Sequence, residues 1–285
     1  MPIKHAGGCS IKRFIVASFL WLACLGGGSA CFASTFSLVR SAIPLKSGEV
    51  LAGVGFGFQD AMNGAHYVRV PRVLLGVGFA DVVDFKVDYE YLLLRHDPFF
   101  PKQEDSGDAV LATRLSFLRL YGYRFGLGVN VKLPNAADDK GMGTDETDIQ
   151  ILLLTSKTFG KLQLAFNVGI GLMGDPTKNA DQKDLVVVGI SASYPLVRDI
   201  NLLAEFSMNS DLHDVRIVGL KEGPFFNDEN ILKAGGGVSF PMFWRIQGEL
   251  LGRAGLTGDS PNYEIFFGLT RKFQLPKFPM EVGSS

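Results

Sequence analysis

The chain has 285 residues, of which 47% are apolar, and its 28 basic side chains nearly balance 29 acidic ones. This length and composition suit one large core or one large closed sheet, and the balanced charge excludes the basic surface of a nucleic-acid-binding protein. We therefore expect one structural domain and no nucleic-acid partner.

The amino end has the three parts of a secretory signal peptide. Three cations, Lys4, Lys12 and Arg13, precede an apolar run at 14–25, and small residues follow that run. The run is well short of the ~20 residues that a membrane-spanning helix needs. We expect cleavage after Ala33, so that residues 1–33 are the signal peptide of an exported protein.

All three cysteines, Cys9, Cys24 and Cys31, precede the predicted cleavage site. The mature chain then carries no thiol, which excludes disulfides, thiol catalysis and cysteine metal sites. The alternative is a lipoprotein acylated on Cys31, but Gly28 stands where the lipoprotein signal has leucine. We prefer the cleaved signal peptide.

Alternation of apolar and polar residues with a period of two predicts about twelve β-strands in the rest of the chain. It is clearest at 83–93, where four ionisable residues alternate with aromatic and aliphatic ones. Within 66–79 the alternation shifts at Pro71, which predicts a bulge. The predicted strands are 49–59, 66–79, 83–93, 108–118, 123–133, 147–157, 162–173, 184–194, 199–208, 230–240, 243–254 and 263–273.

The connections between these strands are alternately long and short. Those at 95–107, 134–146 and 209–229 are long and polar, whereas 80–81 and 241–242 are tight turns. An outer-membrane barrel has this pattern, with long loops outside the cell and short turns in the periplasm. We therefore expect an all-β fold, an antiparallel transmembrane β-barrel of about twelve strands in an up-and-down meander, located in the cell outer membrane.

A soluble exported β-sandwich or lipocalin-like barrel is the alternative fold. Globular strands usually have about five or six residues, whereas most of the predicted strands reach the length of about ten that crosses a tilted bilayer. Aromatic side chains near the predicted strand ends also fit the girdles of a membrane barrel. We prefer the membrane-spanning barrel.

The barrel is predicted to span residues 49–273, with an N-terminal periplasmic segment at 34–48 and a C-terminal tail at 274–285. Residues 35–47 have a second possible position, as a plug folded into the bore, but we prefer a loose periplasmic leader. Outer-membrane lipid and the barrel assembly machinery are the expected partners. The last strand ends on Phe273, which suits assembly, although a tail follows it.

If the apolar faces contact lipid, the ionisable faces enclose the bore. Both charge signs occur there, so the side chains form ladders that brace the wall or line a weakly selective pore. Inward glycines such as Gly53, Gly126 and Gly169 favour the pore, because they leave volume in the middle. The predicted pore-lining residues are Asp84, Lys86, Asp88, Glu90, Arg114, Arg124, Lys132, Asn167, Glu205, Lys233, Arg245 and Glu249.

The sequence thus favours an outer-membrane channel or uptake porin for small solutes. A non-conducting structural or surface-interaction barrel is the alternative. The loop at 135–148 is rich in acidic residues that could bind calcium, but their spacing does not match an EF-hand. We expect a solvated loop there, and neither a metal nor another cofactor.

One part of the chain, residues 125–171, resembles a known family. Its motifs are Lys132-Leu133-Pro134, then Gly143-Thr144-Asp145-Glu146-Thr147-Asp148, Phe159-Gly160 and Asn167-Val168-Gly169. They resemble the outer-membrane proteins grouped as the MetA-pathway phenol-degradation family, although Asp145 replaces that family's usual glycine. The resemblance implies a barrel of this type that takes up hydrophobic or aromatic compounds, and it carries over no catalytic residue.

Some outer-membrane lipid hydrolases are also small barrels, with a histidine and serine pair on the wall. Beyond the predicted signal peptide the histidines are His66, His96 and His213, and none is followed by serine two residues later. We therefore expect that the protein is not an enzyme, with lipid hydrolysis as a less favoured alternative.

Overall fold

Thirteen β-strands form one antiparallel sheet in the computed structural model, which describes residues 34–60, 66–96, 103–136, 146–174, 184–197, 199–211 and 230–275. Every predicted strand is present, with ends within three residues of those expected. The strands are β1 (Glu49–Asp60), β2 (His66–Phe79), β3 (Val83–His96), β4 (Gln103–Ser106), β5 (Ala109–Leu120), β6 (Tyr123–Leu133), β7 (Asp148–Phe159), β8 (Leu162–Leu172), β9 (Leu185–Val197), β10 (Ile200–Asp211), β11 (Ile231–Pro241), β12 (Ile246–Gly255) and β13 (Tyr263–Gln274).

The short β4 and the longer β5 together form one strand of the wall. β4 pairs with the end of β3, opposite Tyr91, and β5 pairs with the beginning of β3, as far as Asp88. Between them, the backbone N–H of Gly107 donates to the carbonyl oxygen of Glu90 at 2.8 Å. An extra residue on one side of a ladder is a β-bulge. The wall therefore has twelve strands.

The sheet closes through β1. This strand pairs with β2 on one side and with β13 along its whole length on the other, while β2 also pairs with β3. Every strand of the wall thus has two hydrogen-bonded neighbours, and among the described residues the short β4 alone pairs on one side, with β3. The predicted closed antiparallel meander of twelve strands is confirmed.

The two ends of the barrel differ as expected. Turns of a few residues connect β2 to β3, β5 to β6 and β7 to β8 at one end, which we call the short-turn end. The register between β2 and β3 shifts from Arg69 to Arg72, which confirms the bulge at Pro71. Residues 1–33, 137–145 and 276–285 lie outside the described residues, and with them the predicted signal peptide, most of the acidic loop and the end of the tail.

Polarity distinguishes the two faces of the wall. On the outer face, large apolar side chains such as Phe85 and Leu153 remain almost half exposed, at 47% and 46%. Facing inward, the charged side chains of Asp84, Glu249 and Arg253 are buried. Soluble proteins bury apolar residues and expose charged ones, so this wall has the opposite arrangement. No helix within the described ranges is long and apolar enough to cross a membrane.

The turn between β5 and β6 depends on one glycine. Tyr121 and Gly122 have φ angles of 50° and 79°, both positive, which matches the two-residue turn that suits the twist of a hairpin. A Cβ atom on Gly122 would meet no neighbouring atom within 4 Å. Any effect of a side chain there therefore comes from the backbone conformation alone.

We predict that Gly122→Ala lowers the free energy of unfolding by about 1–2 kcal/mol, because a side chain disfavours the left-handed conformation. Urea unfolding of the refolded barrel in lipid vesicles measures the change. Gly252→Ala is the matched control, since a Cβ at this β12 residue would also contact nothing but φ is not positive. Equal effects of the two substitutions would contradict the explanation.

Candidate functional site

Residues 34–47 lie inside the barrel, where they form what we call the inner segment. Their hydrogen bonds reach inward-facing side chains of β3, β5, β7, β8, β10 and β12, strands that lie on different sides of the closed wall. A chain that contacts all of these strands can only lie within the bore. The preferred prediction of a loose periplasmic leader is therefore wrong, and the plug is the correct alternative.

One half of the inner segment is held by two buried carboxylates. Glu249 on β12 accepts hydrogen bonds from the Ser34 hydroxyl at 2.9 Å and from the backbone N–H groups of Thr35 and Phe36 at 2.8 and 3.3 Å. Glu205 on β10 accepts from the Ser37 hydroxyl and from the Leu38 N–H. These bonds satisfy backbone donors that would otherwise be costly to bury.

The other half follows the wall from β8 back to β3. Asn167 on β8, with its amide suitably oriented, bonds both the N–H and the carbonyl of Arg40, each at 2.7 Å. On β7, the Ser156 hydroxyl accepts from the Ala42 N–H at 2.8 Å, and on β3 Asp84 accepts from the Leu45 N–H at 2.8 Å. The segment thus makes one circuit of the inner wall before it enters β1.

Several inward glycines provide the space that the inner segment fills. A Cβ on Gly268 would overlap the ring of Phe36, and one on Gly189 would lie only 2.8 Å from Val39 Cγ2. Gly53, which sequence analysis assigned to an open bore, would place a Cβ 3.3 Å from the Phe36 ring. These glycines therefore receive the inner segment instead of widening the passage.

Apolar contacts complete the attachment of the inner segment. Phe36 is 2% exposed and packs against Phe266 of β13, with ring centroids 4.5 Å apart. Leu45 belongs to the same buried cluster, whose wall members are Leu51, Leu74, Leu203, Leu251 and Phe266. The interior is therefore partly apolar, which the alternation of charged residues did not predict.

Two arginines connect the wall charges to the inner segment. Arg253 on β12 bonds the carboxylates of Glu205 and Glu264 and donates to the carbonyl oxygen of Phe36 at 2.8 Å. Arg114 on β5 pairs with Asp84 and donates to the carbonyl oxygen of Ser41 at 2.5 Å. Each guanidinium uses its several donors for a carboxylate and a backbone carbonyl together.

Most of the other predicted pore-lining residues form ion pairs. Asp88 pairs with Arg72 at 2.6 Å, and Glu90 lies 3.5 Å from Arg69. The remaining pairs are Lys132 with Asp108 and Asp148, and Lys233 with Glu264. Lys86 faces the cavity described below, and Arg124 lies opposite the inward Ser156 at the short-turn end.

Arg245 is the exception among the predicted pore-lining residues. It lies in the turn Phe243–Arg245 before β12, with a φ of 61°, and its side chain is exposed. The predicted strand began three residues too early, because apolar Phe243 and Trp244 continued the pattern of the strand into the turn. Arg245 therefore does not line the bore.

Three cations of the bore, Arg253, Arg72 and Arg40, are not among the predicted pore-lining residues. Arg253 follows Glu249 by four residues on one strand, so the alternation placed it inward, but apolar Leu251 between them concealed the pattern. Arg72 follows the bulge, which reverses the expected face. Arg40 lies in a segment without periodicity, and no sequence signal identifies it.

A cavity of about 280 Å³ remains between the inner segment and the wall. Leu38, Ile43 and Pro44 line it from the segment, while Lys86 and Arg72 line it from β3 and β2. The volume is at the small end of protein ligand pockets, which occupy about 300–1,000 Å³. This cavity and the side chains around it are the candidate functional site.

One of the three histidines considered for a hydrolase pair has a described side chain. His66 is the one histidine whose side chain falls within the described part of the chain, and its Nδ1 lies 2.6 Å from the carboxylate of Asp60. Its ring stacks near Phe58, with centroids 5.9 Å apart. His66 therefore interacts with a carboxylate and a phenyl ring.

Comparison with known proteins identifies the fold but no family. No protein-family model matches the chain, and no curated protein matches it in sequence. The resemblance to the phenol-degradation family is therefore not confirmed.

Solved outer-membrane barrels do share the architecture. The crystal structure of the COG4313 outer membrane channel from Pseudomonas putida F1 matches 81% of this chain and 98% of its own, with a TM-score of 0.62 and 13% identity. The KdgM porin matches 78% and 99%, with a TM-score of 0.53 and 8% identity. The NanC porin matches 79% and 100%, with a TM-score of 0.53 and 10% identity. At these identities the shared property is the fold of an outer-membrane barrel.

We predict that Glu249→Ala releases the start of the inner segment, because three donors lose their acceptor. Val39→Cys places a reporter thiol on the inner segment. Maleimide should modify this cysteine about tenfold faster in the Val39→Cys, Glu249→Ala double variant than in Val39→Cys alone, as expected for the loss of hydrogen bonds to a charged group. Gln247→Ala, on the same face of β12, is the control. An unchanged rate would show that Glu249 does not hold the segment.

Proposed function

We propose that the protein is an outer-membrane channel for small solutes whose passage is narrowed by the inner segment. The observation that supports this most directly is the closed wall, apolar outside and charged inside, around a cavity that the inner segment leaves unfilled. The fold shared with outer-membrane channels and porins is consistent with it.

The outer surface supports a membrane position. Monomeric soluble proteins rarely expose continuous apolar patches larger than a few hundred Å². Here exposed aliphatic and aromatic residues cover every side of the barrel. Aromatic residues gather at the short-turn end, as at the interface of a membrane barrel. They are Phe79, Tyr121, Phe159, Tyr194, Phe243, Trp244 and Phe273.

A channel is favoured over a purely structural barrel by the incomplete filling of the bore. If bracing the wall were its single role, paired charges and packed side chains could fill the middle, as in the smallest barrels. Instead, exposed Leu38 and Ile43 border the cavity, together with Lys86. We propose passage of small solutes without a catalytic step, and the resemblance to the phenol-degradation family suggests hydrophobic or aromatic ones.

The membrane position predicts that Leu153→Arg, near the middle of β7, destabilises the barrel by about 2–4 kcal/mol, the cost of a cation at the bilayer centre. Leu196→Arg, near the short-turn end of β9, should cost at most about 1 kcal/mol, because interfaces tolerate charge. Urea unfolding in lipid vesicles measures both values. Equal, small costs would contradict a bilayer around this wall.

The channel proposal predicts that deletion of residues 34–45 raises single-channel conductance several-fold in a planar lipid bilayer. The inner segment occupies the bore, so its removal widens the narrowest part of the water-filled path. Heat-modifiable migration on a gel checks that the shortened barrel folds. If the full chain and the folded deletion variant are both electrically silent, the non-conducting structural barrel is the correct alternative.

A further inference from the structure

The cavity beside the inner segment has an excess of positive charge. Five cations line it, whereas Asp88 is the one carboxylate among its described lining residues, and that carboxylate already bonds Arg72. The cations are Arg40, Arg72, Lys86, Arg114 and Lys272. A bore that braced itself by charge ladders alone would balance the two signs, as the pairs near Lys132 and Lys233 do.

Two of these cations are available to a solute. Within the described residues, neither Arg40 nor Lys86 has a carboxylate within ion-pair distance, while Arg72 and Arg114 are engaged by Asp88 and Asp84. Lys86 also faces three like charges, those of Arg114, Arg40 and Lys272, and one opposite charge, that of Asp84, which Arg114 already engages. Like charges in a confined space raise the affinity for an anion that enters between them.

The same cavity has an apolar side. Leu38 and Ile43 project from the inner segment and remain 45% and 39% exposed, although they lie within the barrel. The wall adds Leu51, Leu74 and Val110. Exposed aliphatic side chains beside cations form a surface that matches a molecule with one charged end and one apolar end.

We infer that this cavity is a binding site for small organic anions, namely monocarboxylates with an aromatic or short aliphatic body. The carboxylate binds between Lys86 and Arg40, and the apolar body contacts Leu38 and Ile43. This inference rests on the proposed function and gives its solute class. The inner segment contributes to both the charged side and the apolar side of the site. It therefore provides selectivity as well as narrowing the passage.

The test is calorimetric titration of the detergent-solubilised full-length protein with three probes. Sodium benzoate carries both the charge and the ring, benzamide has the ring without the charge, and acetate has the charge with only a methyl group. Benzoate should bind at least about tenfold more tightly than either of the others, since each lacks one half of the match. Equal affinity for benzoate and benzamide would overturn the inference.

Variants locate the site. Lys86→Met, which keeps the side chain's length but removes its charge, should weaken benzoate binding about tenfold. Lys157→Met is the matched control, because Lys157 lies over the Tyr123 ring on the outer face of β7, and it should leave binding unchanged. Arg40→Met changes the inner segment and leaves the wall intact. It therefore tests the same site if Lys86→Met fails to fold. Unaltered binding in a folded variant that lacks either cation would place the carboxylate elsewhere.

Calorimetry measures binding whether or not the barrel conducts ions. The channel proposal and the anion-site proposal can therefore be contradicted independently of each other. A barrel that conducts ions but binds benzoate no better than benzamide retains its channel function and loses the anion site. A barrel that binds benzoate selectively but stays silent in bilayers, with and without residues 34–45, retains the site and loses the channel.

Discussion

The structure depends on how charge is accommodated inside a closed sheet. Arg114 and Arg253 lie on β5 and β12, nearly opposite each other around the wall, and each is buried. A buried guanidinium is costly unless it is paired and its donors are satisfied. Both meet this requirement in the same way, with a carboxylate from the wall and a carbonyl oxygen from the inner segment. The segment is thus part of the charge network that stabilises the wall.

This dependence is mutual. The inner segment has no regular secondary structure, so its backbone groups need partners from the wall. Glu249, Glu205, Asn167 and Ser156 supply them from four different strands. Glycines without side chains allow the approach, and the Phe36 ring fills the space above Gly268. The wall and the segment therefore satisfy each other's polar groups, and the cavity is the volume that neither of them fills.

The charge of the cavity lining depends on how many carboxylates lie beside its cations. Near Arg253 and Lys233, carboxylates match the cations. Beside β3, Asp84 and Asp88 are engaged by Arg114 and Arg72, and Lys86 remains with other cations around it. A positive potential in a confined, partly apolar space is the physical basis of the preference for organic anions that we propose. The same segment that closes much of the bore contributes Leu38 and Arg40 to this surface.

Period-two alternation determined the fold, because a strand between lipid and an enclosed interior must change polarity at every residue. Strand ends, the bulge at Pro71 and most inward charges followed from it. The alternation could not place Arg72, beyond the bulge, or exclude Arg245, in a turn that continues an apolar pattern. It also contained no information on residues 34–47, whose position depends on side chains from six strands distant in sequence. Only the closed tertiary structure brings those side chains to one place, and so only it decides that the amino-terminal segment lies inside the bore and what kind of cavity remains beside it.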